Sequence, residues 1–406
     1  MTEYRITRLG HLGDGVADGP VFVPGALPGE VVTGRLEGDR LEEMRILTPS
    51  DLRVSPPCRH FKSCGGCQMQ HMRPEALTAW KEEIVNAALE AHGLRPERLL
   101  PTAVSPPGSR RRATFSARRT KKGAMAGFHG RRSDVITEIP DCLLLHPGLM
   151  PGLEIARALA EAGASRKGAL RVAATLSEVG LDIAVEDGKA LDGPLQLDLA
   201  QIANAHKIAR LAWNGETLLT AMPPKQSFDG ISVVPPPGAF LQATREGEEA
   251  LRADVLRIVE GRRHVIDLFA GCGTFALPLA RQARVHAVEG AGEMVHALEA
   301  CWRHGSGLKP LTAETRDLFR QPFVASDLSR FDAAVIDPPR AGAEAQIAEL
   351  AQSDVPVIVH VSCNPVSFAR DAATLVAQGY RLEELRVVDQ FLWSSHVELV
   401  AAFRRT

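Results

Sequence analysis

Two short turns hold the residues of this chain best suited to covalent chemistry. Ser362-Cys363-Asn364-Pro365 closes an apolar run over residues 355–361, and Asp337-Pro338-Pro339-Arg340 closes another over residues 331–336. Both runs are β-branched and apolar, the pattern of parallel strands buried on two faces. Ligands of an open α/β sheet bind in the crevice outside the carboxyl ends of its strands. A thiol, a carboxylate and a guanidinium therefore face one crevice. A lone cysteine is more often a small buried hydrophobe. Its place at a strand end nevertheless marks Cys363 as the candidate nucleophile, with Arg340 in the same crevice to favour the reactive thiolate. Glu398, in Ser394-Ser395-His396-Val397-Glu398, opens a further apolar strand. Burial there raises a carboxyl pKa and suits Glu398 to be a general base, whereas an edge strand in solvent would leave it ordinary.

The elements around these turns read as one sheet. Strands are predicted over 264–269, 284–289, 310–315, 331–336, 355–361, 381–391 and 396–403, with helices in most of the gaps. No helix fits between the last two, so the seventh strand enters antiparallel. The pattern is a doubly wound, Rossmann-like α/β sheet. Its first strand runs into Ala270-Gly271-Cys272-Gly273-Thr274 and then a helix. Glycines there let the backbone approach a ligand closely. Glu289 closes the second strand, 22 residues after Asp267, where an acid can hold ribose hydroxyls. The Gly-x-Gly alone fits a dinucleotide equally well.

The rest of the chain is organised differently. Residues 1–50 read as short strands with glycine turns, a small β-barrel of OB type. A helix is predicted over 74–92, with Pro74 in its first turn and Gly93 as its cap. Residues 103–239 form a mixed, strand-rich region. No run approaches the roughly 20 apolar residues of a membrane helix, and the N-terminus lacks the apolar stretch of a signal peptide. A soluble, cytoplasmic protein is expected, with no membrane partner.

Net charge is −2 over 406 residues, which by itself does not suggest a nucleic-acid partner. The distribution does. Arg110, Arg111, Arg112, Arg118, Arg119, Lys121, Lys122, Arg131 and Arg132 face one acid, Asp134, between positions 101 and 135. One phosphate-binding face is expected; a solvated hairpin would look similar. The seven cysteines are odd in number, which argues against a disulfide framework. Cys58, Cys64, Cys67 and the distant Cys142 could supply four thiolates, and Cys-x2-Cys spacing fits zinc or an iron–sulfur cluster.

In their joint presence and order, these segments resemble the bacterial RNA uracil-5-methyltransferases over nearly the whole chain. Besides the turns above, the resemblance rests on Gln70-His71, Phe240-Leu241-Gln242 and His396-Val397-Glu398. It implies a TRAM-type barrel at 1–50 and a central iron–sulfur and RNA-binding domain at 51–72 and 103–239. It also implies a class I S-adenosylmethionine-dependent methyltransferase domain at 73–102 and 240–406. Cys363 is then the nucleophile and Glu398 the base. Gln242, Phe269, Glu289 and Asp337 match cofactor-contacting positions, and Cys58, Cys64, Cys67 and Cys142 would hold a 4Fe–4S cluster. The resemblance favours 23S rRNA over tRNA as substrate, and a monomer. Other readings are an RNA cytosine-5 methyltransferase or a non-catalytic RNA-binding module. Two departures stand out. Thr244 replaces a frequent Asn, and Phe391-Leu392-Trp393-Ser394-Ser395 lacks the usual proline.

Overall fold

Alternating residues in the first fifty positions close into a five-stranded barrel in a computed structural model that describes residues 2–405. Its strands are Glu3–Leu9, Gly15–Ala17, Val21–Val23, Val31–Glu37 and Arg40–Thr48. Ile6, Val23, Val32 and Leu41 fill it.

The strand-rich middle of the chain forms a seven-stranded sheet. It runs in the order Glu216–Thr220, Arg210–Trp213, Gly180–Glu186, Leu170–Ser177, Arg112–Thr120, Gly123–His129, Ile136–Thr137. Helices Gly152–Gly163 and Gly193–Ala205 pack on it around Phe115 and Trp213, both fully buried. Gly163 and Gly188 leave room for the Trp213 indole: a Cβ at either would lie 2.3 or 2.2 Å from its ring. No side chain larger than hydrogen fits there.

The alternating C-terminal part builds an eight-stranded sheet. Its order is Leu311–Thr315, Arg284–Glu289, His264–Leu268, Ala333–Ile336, Val357–Ser362, Glu398–Arg405, Tyr380–Asp389, Arg98–Val104. The first five strands are mutually parallel. Glu398–Arg405 enters antiparallel between two others, as expected where eight residues and no helix join it to the preceding strand. All six residues of Val357–Ser362 are buried, as a central parallel strand requires. That strand begins after Pro356, two residues later than the apolar run suggests, because proline cannot donate to the ladder. The helix after the glycine turn is short, Ala276–Leu279, since the next strand starts at Arg284.

Helix Pro74–Glu90 packs beside helix Pro365–Ala377, and Gly93 follows it at φ +70. Its Lys81 is fully buried and donates to Asp389 at 2.6 Å and to the Phe391 carbonyl at 3.1 Å. A paired buried cation of this kind ties the helix to the end of a sheet strand. Among the described residues, no helix is long and apolar enough to cross a membrane.

Candidate active site

Parallel pairing of Ala333–Ile336 with Val357–Ser362 sets Ile336 opposite His360, so the turns that follow lie side by side. Asn364 clamps them together. Its Oδ1 caps the next helix by accepting from the Val366 N–H, while its Nδ2 donates to the Arg340 carbonyl at 2.9 Å. Ser362 lies opposite Leu399 in the antiparallel neighbour, which brings Glu398 to the same crevice. Cys363, Asp337 and Glu398 therefore meet, each inside the electrostatic field of the others.

That field decides their protonation. Burial, then Glu398 and Asp337, push the Cys363 thiol up to about 11, and Arg340 opposes them only weakly. The expected help from Arg340 is thus outweighed, and the unliganded thiol is neutral at physiological pH. Burial raises Asp337 to about 7. Glu398, 3% exposed, is raised well above the carboxylate range by burial and by Asp337.

The glycine turn adds two more acids. Gly271 and Gly273 take φ +56 and +96, and a Cβ at Gly271 would meet open space. Phe269 precedes them at φ +62, a conformation a bulky side chain rarely adopts and one that clusters at functional sites. Glu289 accepts from the Gly271 N–H at 3.0 Å and the Ala291 N–H at 2.9 Å. Asp267 is fully buried, and neither of its carboxyl oxygens forms a well-aligned hydrogen bond among the described residues, though the Ala276 N–H faces the carboxyl. Burial, with Asp337 and Glu289 nearby, raises its pKa well above normal. Four carboxyl groups around a glycine-floored crevice, one of them without a well-aligned hydrogen bond, suit a cationic ligand.

One residue of the site carries no sequence signal. Gln390, 1% exposed, accepts from the Ala243 N–H at 2.7 Å, which fixes the orientation of its amide. Its NH2 group must then point the other way. It donates to Gln242 Oε1 at 2.5 Å and to Glu398 Oε2 at 3.0 Å. Gly247 packs so closely that a Cβ there would lie 2.7 Å from the Gln390 Cβ. Gln390 thus joins the proposed base to a proposed cofactor residue. Thr244, the first departure, caps helix Arg245–Ile258 by accepting from Gly247 N–H at 3.0 Å and bonds Ser105 at 2.7 Å. Its hydroxyl is engaged in folding.

The four cysteines line one small cavity with Phe61, Phe128 and Ile139. Burial and the other three thiols push Cys67 up to about 12, with a Gln70 hydrogen bond acting against the rise. The Gly66 N–H donates to Cys64 Sγ at 3.4 Å. A Cβ at Gly65 would lie 2.8 Å from the His129 carbonyl oxygen, which accounts for the glycine between the cysteines. Among the described residues no three His, Cys, Asp or Glu stand close enough to hold a single metal ion. The second departure is explained next to this cavity. Trp393 sits at φ +61, and its carbonyl accepts from the Gln68 and Met69 N–H groups at 2.8 and 2.9 Å. The loop leading to Glu398 is therefore fastened to the residues immediately after Cys67.

Comparison with known proteins decides the family. A sequence model described as tRNA (Uracil-5-)-methyltransferase matches residues 307–405. An uncharacterized RNA methyltransferase of Rhizobium meliloti is 46% identical, covering 98% of both chains. The 23S rRNA (uracil(1939)-C(5))-methyltransferase of Thiobacillus denitrificans is 36% identical over 98% of this chain and 99% of its own. The chain belongs to the S-adenosylmethionine-dependent RNA uracil-5-methyltransferase family. Its fold matches the crystal structure of Pyrococcus abyssi tRNA (uracil-54, C5)-methyltransferase with S-adenosyl-L-homocysteine, at TM-score 0.76 and 21% identity over 99% and 100% of the two chains.

In this methyltransferase the basic segment is not the single face expected from sequence. Arg111 is buried, paired with Glu248 and bonded to the Gln242 carbonyl, so it holds the catalytic domain to the central sheet. Arg112 stacks over Phe240, 4.3 Å from its ring centre. Arg131 covers Phe61 at 4.3 Å and donates to the Cys67 carbonyl at 2.9 Å. Arg118, Arg119 and Lys121 lie at the far end of strand Arg112–Thr120 and its hairpin. Strand geometry disperses them: the eight steps from Arg112 to Thr120 span about 26 Å at ~3.3 Å each.

Proposed function

We propose that this enzyme methylates carbon 5 of a uridine in 23S rRNA through a covalent bond between Cys363 and uracil carbon 6. The observation that carries the mechanism is the shared crevice of Cys363, Asp337 and Glu398. The buried Asp267, the acids around it and the glycine turn fit a sulfonium-bearing cofactor, with Gln242, Phe269, Glu289 and Asp337 as its holding residues. When bound, S-adenosylmethionine supplies a methyl group on positively charged sulfur. The Cys363 thiol gives up its proton to solvent, the resulting thiolate adds to carbon 6, and the ring's displaced electron pair makes carbon 5 nucleophilic. After carbon 5 has taken the methyl group, Glu398 removes its remaining proton. The electron pair left behind restores the 5,6 double bond and expels the thiolate. A stacked uridine must leave its helix to reach this crevice.

For the metal, we read the four cysteines as ligands of a 4Fe–4S cluster. Four thiols share one cavity, and the Cys-x2-Cys spacing fits an iron–sulfur cluster as well as zinc; the family resemblance favours the cluster. Iron and sulfide analysis of anaerobically purified protein tests this, and stoichiometric zinc without iron would refute it.

Full-length identity to the Thiobacillus denitrificans enzyme favours ribosomal RNA. The family model's description and the Pyrococcus abyssi enzyme name tRNA, which keeps transfer RNA as the second reading. Mapping 5-methyluridine in rRNA and tRNA from a deletion strain separates them. Loss from 23S rRNA alone is expected; loss from tRNA alone would overturn the choice.

A further inference from the structure

Arg118, Arg119 and Lys121 are joined in space by Arg166 and Lys167, from the loop after helix Gly152–Gly163. The five cations and Thr120 line one open cleft of about 650 Å³. All five are exposed, and none forms an ion pair or side-chain hydrogen bond among the described residues. Their neighbours along the sequence behave differently: Arg111 pairs with Glu248, Arg157 with Glu138 and Glu154, and Arg171 with Glu186. Like charges held together without counter-charges repel and weaken the fold unless a polyanion uses them. A protein of net charge −2 has ample acid to neutralise them and does not do so here.

The strand Arg112–Thr120 separates this cleft from the Arg112 contact with Phe240. Arg112, at one end, stacks on Phe240, two residues before Gln242. Arg119, seven residues on, lies about 23 Å away at ~3.3 Å per residue. No single nucleotide in the active site spans that distance. We propose that the cleft is a second, sequence-independent RNA-binding surface that holds the sugar–phosphate backbone of a helical segment flanking the target loop.

This rests on the RNA-methylating function, so the first test needs no turnover. The probe is a labelled RNA duplex containing no methylation target, titrated by filter binding at several salt concentrations. The variant replaces Arg118, Arg119, Lys121, Arg166 and Lys167 with Ala. Every phosphate that the variant no longer neutralises should flatten the salt slope by roughly 0.7 to 0.9, so weaker binding and a slope shallower by two or more are expected. Lysine at the three arginine positions should restore most of the slope. S-adenosylmethionine affinity should match wild type and the melting temperature should be no lower, since all five side chains are exposed and their mutual repulsion is relieved. Unchanged duplex affinity and slope would overturn the proposal. In a second test, the Ala variant should raise KM for a long stem bearing the target loop and leave the bare loop unaffected. An equal change for both RNAs would also overturn it. Wild type that binds duplex but methylates neither RNA would instead count against the substrate reading.

Discussion

Two regions of this enzyme gather four like groups that repel one another when ionised. The catalytic crevice gathers Asp267, Glu289, Asp337 and Glu398; the central cavity gathers Cys58, Cys64, Cys67 and Cys142. In each, burial raises pKa values, taking Asp337 to about 7, and neighbouring negative charge adds to it at Asp267, Glu398 and Cys67, the last pushed to about 12. Each therefore stands ready for a positive ligand, because a cation reverses both penalties. The difference lies in what supports them. The carboxyls project from strand ends of a rigid sheet, while the thiols ride on loops. If the thiols hold the proposed cluster, their loops have more order to gain from a ligand than the sheet has.

The largest effects should come from the crevice. Cys363→Ala should abolish methyl transfer while leaving S-adenosylmethionine binding near normal, since the thiol acts on the base alone. Glu398→Gln should still methylate but stall before the thiolate leaves, giving a protein–RNA band on a denaturing gel. Free turnover by the alanine variant would refute the covalent scheme, and free turnover by the glutamine variant would mean that another group is the base. Cys67→Ser tests the contrast from the other side. It should lower the melting temperature and reduce hydrogen-exchange protection across 391–398, because the Gln68 and Met69 amides bind the Trp393 carbonyl. Loss of metal with unchanged protection there would uncouple the two regions.

Gln390→Leu should have an intermediate effect with a distinctive pH signature. The Gln390 amide stabilises the charged form of Glu398 against burial. Its removal raises that pKa further, so the ascending limb of the rate against pH moves to higher pH. A hydrogen bond to a charged group is worth about 1.5–3 kcal/mol, so a loss on the order of tenfold to a hundredfold is expected at neutral pH, with partial recovery in alkali. A uniform loss at every pH would reduce Gln390 to a packing role.

Much of the crevice is legible in sequence because strand periodicity fixes where residues 337, 363 and 398 must end up. The periodicity locates the strand ends, and the residue types name the chemistry. Gln390 is not legible: a glutamine after Val387-Val388-Asp389 has no signature, and its role appears only when residues 242–247 meet residues 390–398. The backbone conformations of Phe269 and Trp393 escape the sequence for another reason. Their left-handed backbone is imposed by tertiary contacts, with no glycine to announce it. The basic segment misleads because a count of charges ignores direction. One strand carries Arg112 toward Phe240 and Arg119 to the opposite end of the sheet, while Arg111 turns inward to Glu248.

The smallest effect is also the most direct measure of charge in the crevice. Cys363 is raised to about 11 by burial, Glu398 and Asp337, so only a minute fraction is thiolate at neutral pH. Alkylation by iodoacetamide requires the thiolate, and its rate climbs with pH until the pKa is passed. A positive charge near Asp337 would offset the carboxyl field and move that climb to lower pH. S-adenosylmethionine and S-adenosylhomocysteine differ by a methyl group and the sulfonium charge, so comparing them without RNA isolates the charge. Cys301 serves as internal reference, since burial alone raises its pKa. Peptide-resolved mass spectrometry should show Cys363 alkylated faster with the methyl donor than with its demethylated product, at unchanged Cys301 rates. Equal Cys363 rates would mean that the cofactor's charge does not reach the thiol. Activation would then have to come from the RNA, and the likeness between the carboxyl crevice and the thiol cavity would fail at its catalytic end.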